Sequence, residues 1–152
     1  MAIEWKLCSW EELTRDELYE IIALRIRVFV IEQNCPYQDA DGKDRQSWQL
    51  FAMDSNGECM ACLRILAPGV SYDEWSIGRV ATDERVRRAG IGKELMQRAM
   101  DWLKDEQGHP SVCISAQTYL LKFYEGFGFT ATGKSYLEDD IPHDEMIYYP
   151  IK

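Results

Sequence analysis

The sequence has no internal repeat, no low-complexity tract and no Gly-, Ser- or Pro-rich stretch of linker length, so nothing marks a boundary between domains. No stretch approaches the roughly 18 consecutive apolar residues of a membrane span. The opening, "MAIEWKLCSWEEL", lacks the basic-then-apolar layout of a secretory signal. Both absences predict a cytoplasmic protein with no membrane partner. Its five cysteines, Cys8, Cys35, Cys59, Cys62 and Cys113, are odd in number and scattered in spacing, which argues against a disulfide framework and for reduced thiols. Positive charge is also short: 17 Lys and Arg stand against 26 Asp and Glu, a net charge of -9. Such a surface repels a polyanion, so no nucleic-acid partner is expected.

What is present suits one domain over residues 1–152: 46% hydrophobic and 28% charged residues leave interior for a single sizeable core. "IEWKLC" (3–8) alternates like a half-buried strand. Ser9-x-x-Glu12 and Thr14-x-x-Glu17 each match a capping box, placing helix starts near 10 and 15. Leu18, Ile21, Ile22, Arg25, Val28 and Phe29 keep a helical stripe to about Glu32. A polar loop follows over 34–47, with Pro36 and Asp41-Gly42 as turn formers, and its length points to function. "WQLFAMD" and "ECMACLRILA" are strand-like runs joined by an Asn56-Gly57 hairpin signal. "WSIGRVAT" (75–82) is a further strand, and a helix runs from Gly90 until Gly108 and Pro110 stop it. "SVCISA" (111–116), a short helix over 118–125, and the strands "FTATGKSYLED" and "EMIYYPI" complete an α/β pattern with a mixed sheet.

The stretch "RVRRAGIGKEL" (85–95) sits where the strand 75–82 turns into the helix, and there free N–H groups and the positive helix end converge on one point. Arg79, Arg85, Arg87, Arg88 and Lys93 outnumber Asp83 and Glu84, so the stretch reverses the sign of the chain around it. Gly90 and Gly92 remove side chains that would block an anion such as pyrophosphate. A nucleoside triphosphate loop is rejected, because Arg87 stands where that motif needs Gly and Glu94 where it needs Ser or Thr. A dinucleotide fingerprint fails too, since Leu95 replaces its third glycine.

Arg87-Arg88-Ala89-Gly90-Ile91-Gly92 resembles the R/Q-x-x-G-x-G/A pyrophosphate loop of the GNAT acetyltransferase superfamily. "IGRVATD" is similar to that family's fourth strand and "FYEGFGF" (123–129) to its other recurring element. "RIRVFVIEQNCPYQDADGKD" (25–44) and "DDIPHDEM" are similar to the ElaA-like branch. The resemblance implies a mixed, mostly antiparallel central sheet flanked by helices. It also implies acetyl-CoA as co-substrate and a primary amine, on a small molecule or peptide, as acceptor. Val80 and Thr82 would bind the pantetheine arm through backbone groups, and the N–H groups from Arg88 to Lys93, Ala89 included, would hold the pyrophosphate. Arg87 and Arg88 would add charge, Gln117 would give a polar contact, and Tyr124 would protonate the departing thiolate. A homodimer is compatible with the family.

Several roles stay open at this level. Tyr124 also fits a helical apolar spacing with Leu120, Phe123 and Phe127, which would make it core. Base candidates are Glu32, Glu74, Asp139, Asp140, His143 and a water relay. Arg79 is either an ion-pair partner or a substrate contact. Cys59 and Cys62 could suggest zinc or a dithiol. No second Cys pair exists, His109 and His143 lie far apart, and strand positions three apart diverge, so no metal is expected. Cys113, without an adjacent base, is expected to be inert, which favours direct transfer over an acyl-enzyme. Trp48, Trp75 and Trp102 are expected in the core or cleft walls. A non-catalytic acyl-CoA-binding domain is the alternative reading, and Tyr124 discriminates between the two.

Overall fold

The computed structural model describes residues 2–150. Thr14 caps helix α1 (Arg15–Arg25) by the predicted reciprocal contacts: its hydroxyl accepts from the Glu17 N–H at 3.1 Å, and the Glu17 carboxylate accepts from the Thr14 N–H at 2.9 Å. Ser9 and Glu12 make only the backward contact, at 2.9 Å, and close a turn rather than open a helix. Beyond Arg25 the helix widens into π-helical turns over Ile26–Glu32, so the apolar stripe continues to Val28 while Ile31 swings outward.

Among the described residues seven strands form one sheet: β1 (Glu4–Ser9), β2 (Ser47–Met53), β3 (Cys59–Leu66), β4 (Trp75–Thr82), β5 (Val112–Gln117), β6 (Thr130–Glu138) and β7 (Ile141–Tyr148). Their order is β1-β2-β3-β4-β5-β7-β6, and every neighbouring pair is antiparallel except β4 and β5. That parallel pair needs a crossover, which helix α2 (Ile91–Glu106) supplies. The expected break between the last two strands is shorter in the fold: Asp139 and Asp140, at φ 50° and 63°, form a two-residue hairpin turn, and β7 starts at Ile141.

Helix α2 and the short helix α3 (Leu121–Glu125) cover one sheet face, burying Leu63, Ile65, Leu95, Met96, Leu103 and Phe129. Helix α1 covers part of the other, over Phe51, Cys59, Cys62 and Ala81. Trp48, Trp75 and Trp102 pack together with centroids 5.3–6.1 Å apart, at the end of the sheet where β4 begins. They do not line the cleft described below. Cys59 and Cys62 share a face after all, because the register skips Met60 between Ala61 and Cys59 and the bulge cancels the expected divergence. The Cys62 thiol and burial both push Cys59 well above the ordinary thiol range, as suits two packed, protonated thiols. Among the described residues no helix is long and apolar enough to cross a membrane.

Candidate active site

Strands β4 and β5 pair through only two positions, Trp75 with Val112 and Ser76 with Cys113, and then part. A cavity of about 530 Å³ opens between them, walled by Ile77 to Thr82 on one side and Ile114, Ser115 and Gln117 on the other. Val80 and Thr82 line this cavity, on a strand edge whose neighbour has left. At Arg79, φ 52° and a register shift against β3 mark a bulge that bends β4 at the cleft.

Just past β4, Asp83 accepts from the Arg85 N–H at 2.9 Å and pairs with the Arg85 and Arg27 guanidinium groups. The Arg85 hydrogen bond holds the Asp83 carboxyl down to about 2. The chain then turns through Arg88 (φ 71°) and Gly90 (φ 77°) into α2, whose first turn has no side-chain cap. Its leading N–H groups, at Ile91, Gly92 and Lys93, are thus the uncapped donors of a helix start. Gly92 and Arg87 line the cleft, while Arg88, Ala89, Gly90 and Lys93 are exposed at its rim. A Cβ on Gly90 would meet nothing within 4 Å, so glycine is needed there for its left-handed backbone; one on Gly92 would touch the Thr82 methyl at 3.7 Å.

The concentrated positive charge is mostly engaged already. Arg85 pairs with Asp83 and Glu58, and Arg79 with Asp39 and Asp41. Arg87 donates to the Glu32 carboxylate at 2.8 and 3.2 Å and to the Thr82 carbonyl at 2.7 Å. Among the described residues, Arg88 and Lys93 are the cations of the stretch left without a carboxylate partner. Arg79 makes the ion pairs expected under one of its two readings, with its guanidinium 5.4 Å over the Tyr37 ring, and also lines the cleft.

Tyr124 of α3 lines the cleft and is 6% exposed, its ring edge-on to Phe123 and Phe129. Burial pushes its phenol far above the ordinary tyrosine range, so it carries its proton at neutral pH. The ring packs in the core, as its helical spacing with Leu120, Phe123 and Phe127 predicts, and the residue also lines the cleft. Gln117 also reaches the cleft, but its amide forms a reciprocal pair with Gln33 at 3.1 and 3.3 Å. Glu32, Asp139 and His143 line the cleft, whereas Glu74 lies in a separate pocket with Cys113 and Glu145. Burial, Glu145 and Glu74 push the Cys113 thiol up to about 12, which disfavours it as a nucleophile.

The residues missed by sequence reasoning are those that hold loop 34–47 against the cleft. Arg25, fully buried, lies 2.6 Å from Asp44 and 2.9 Å from Asp39, and Arg64 lies 2.7 Å from Asp41. The Arg25 Nε and Arg79 Nε contacts to Asp39 are close but misaligned for hydrogen bonds, so they act as Coulombic pairs. The Arg64 hydrogen bond holds the Asp41 carboxyl far below the usual carboxylate range. Arg25 within the apolar stripe, ahead of three closely spaced aspartates, was the available signal.

Comparison with known proteins agrees with this architecture. Residues 18–149 match the family model of the acetyltransferase (GNAT) domain. The chain is 37% identical over 148 residues to UPF0039 protein sll0451 of Synechocystis, covering 97% of this chain and 96% of that one. It superposes on an acyl-CoA N-acyltransferase from Pseudomonas aeruginosa with a TM-score of 0.91 at 38% identity, over 97% of this chain and 100% of that one. On Escherichia coli ElaA the TM-score is 0.89 at 35% identity, with the same coverage. A parted β4–β5 pair leading into an uncapped helix start, together with these likenesses, places the chain in the GNAT family of acyl-CoA-dependent acyltransferases, in its ElaA-like branch.

Proposed function

We propose that the protein is an acetyl-CoA-dependent N-acetyltransferase that moves the acetyl group directly to a primary amine within a ternary complex. The observation that carries this reading is the parting of β4 from β5 after two pairs, with the open edge running into an α2 start that has no side-chain cap. An amide-containing pantetheine arm can pair along such an edge as an added strand would. The pyrophosphate then meets the N–H groups of Ile91 to Lys93, with Arg88 and Lys93 as the unengaged cations. Arg87 serves indirectly, by tying Glu32 and the end of β4 together.

Tyr124 is the proton donor to the departing thiolate: it lies in the cleft wall and burial keeps its hydroxyl protonated. Direct transfer is favoured over an acyl-enzyme because Cys113 faces another pocket, and holding both reactants together supplies the orientation the reaction needs.

The test is acetyl-CoA binding by calorimetry on the native protein, on Gly90→Asp and on Gly90→Asn. Both variants share the demand for positive φ, and only Asp adds negative charge at the cradle. The native protein should bind, Gly90→Asn should bind more weakly, and Gly90→Asp should lose binding while staying folded. A folded native protein that does not bind acetyl-CoA overturns the reading.

A further inference from the structure

We propose that His143, backed by Glu138, is the base that takes a proton from the acceptor's ammonium group; this rests on the acetyl-transfer reading above. His143 lies in β7 in the cleft wall, 6% exposed, opposite Gln117 of β5 and Tyr136 of β6. Three contacts fix its ring. Nδ1 lies 2.7 Å from the Ile141 carbonyl, the ring stacks on Tyr136 at an interplanar angle of 9°, and Nε2 lies 3.4 Å from Glu138 Oε2. A carbonyl can only accept, so Nδ1 carries a hydrogen, and Nε2, beside the Glu138 carboxylate, is the nitrogen left to take up or release the second proton. Tyr136 is held in turn by its hydroxyl, which donates to Ser115 Oγ at 2.6 Å.

The other candidates lack this arrangement. Glu32 is engaged with Arg87, and Glu74 faces the separate pocket. Asp140 is not among the cleft-lining residues, and Asp139 sits in the hairpin turn, its carbonyl accepting from the Cys35 thiol at 3.4 Å. The titratable groups around the ring are Glu138 and Tyr136 of β6, Asp144 beside it in β7, Asp139 of the turn and Cys35 of the loop; β5 offers the neutral Gln117. Glu138 is placed to pair with the imidazolium as it forms.

The acceptor arrives as an ammonium ion. One proton passes to Nε2 and on to solvent, leaving the nitrogen lone pair free. The nitrogen–carbon bond forms, the carbon–sulfur bond breaks, and the thiolate takes the Tyr124 proton. The nitrogen's second proton, lost as the amide forms, restores Tyr124 through water. Ammonium and thioester thus give amide, thiol and one released proton.

The decisive variant is His143→Asn, whose amide can still donate to Ile141 but which lacks Nε2. Its probes are acetyl-CoA with ethylamine, protonated at neutral pH, and with 2,2,2-trifluoroethylamine, a near-isostere that is already neutral there. His143→Asn should lower kcat/KM for ethylamine by roughly 100-fold or more near pH 7, the rate climbing again as pH rises, and should cost trifluoroethylamine little. Equal losses on both amines would make His143 merely structural and overturn the proposal. Where turnover of both probes is too slow to measure, nitrogen NMR of the free protein decides, because His109 is the single other histidine among the two in the sequence. The Nδ1–H tautomer is expected in the neutral ring, and the Nε2–H tautomer overturns the assignment. Calorimetry separates the two failures: no acetyl-CoA binding defeats the acetyl-transfer reading, whereas intact binding with an indifferent His143→Asn defeats the base alone.

Discussion

A phenol that burial holds in its protonated form is no base at neutral pH, and it keeps a proton that a departing thiolate can take. Tyr124 has that character, because its ring is packed between Phe123 and Phe129 while its residue also lines the cleft. Tyr124→Phe keeps the packing and removes only the hydroxyl. Turnover should fall by roughly 100-fold, the lower end of what a positioned acid contributes, with acetyl-CoA affinity unchanged by calorimetry. Retained turnover would return the ring to a packing role and favour a different donor. At this scale the sequence was informative where local structure follows residue type and spacing, as at the Thr14 capping box. It was misleading where charge was counted without partners. Arg79 and Arg87 look available in the chain, yet their carboxylates come from distant segments, loop 34–47 and the end of the π-helical turns, while Arg85 adds Glu58, just before β3, to its neighbour Asp83.

Loop 34–47 shows why an element's place beside a cleft can be expected while its support is not. Its length marked it as functional, and Cys35 and Tyr37 do line the cleft. What fixes it is a cluster of Arg25, Arg64 and Arg79 against Asp39, Asp41 and Asp44, assembled from α1, β3, β4 and the loop. No local pattern specifies which aspartate meets which arginine, although a charge within the α1 stripe was a readable anomaly. Asp44 is the member whose removal costs most, since it faces both Arg25 at 2.6 Å and Arg64 at 3.3 Å, with Arg25 fully buried. Asp44→Ala should destabilise the fold by roughly 3–5 kcal/mol, because a buried cation loses compensation. Urea unfolding measures it. A loss under about 1 kcal/mol, the range of an exposed pair, would mean that water screens the cluster. The turn at Asp139-Asp140 was illegible for another reason: the pair lacks the glycine that usually announces two consecutive positive φ values.

At the scale of the whole molecule, element types followed from periodicity and turn residues, but the strand order and the parting of β4 from β5 did not. Both strands read as ordinary runs, and their divergence arises from long-range pairing: β4 stays paired with β3 as far as Thr82, across the bulge at Arg79, while β5 pairs with β7 along its whole length. The divergence leaves β4 backbone groups without sheet partners inside a protein, a cost that water or a ligand must meet. If acetyl-CoA supplies those partners, amide exchange should reveal it. In the free protein, amides of residues 78–82 that face β5 should exchange fast, while those paired to β3 and those of β5 paired to β7 stay protected. Saturating acetyl-CoA should slow the cleft-facing set and the first amides of α2 together, beyond the uniform slowing that any stabilising ligand produces. Protection confined to α2 would mean that the pyrophosphate binds without the arm entering the sheet. Uniform slowing everywhere would mean that the open edge is not where the ligand lies.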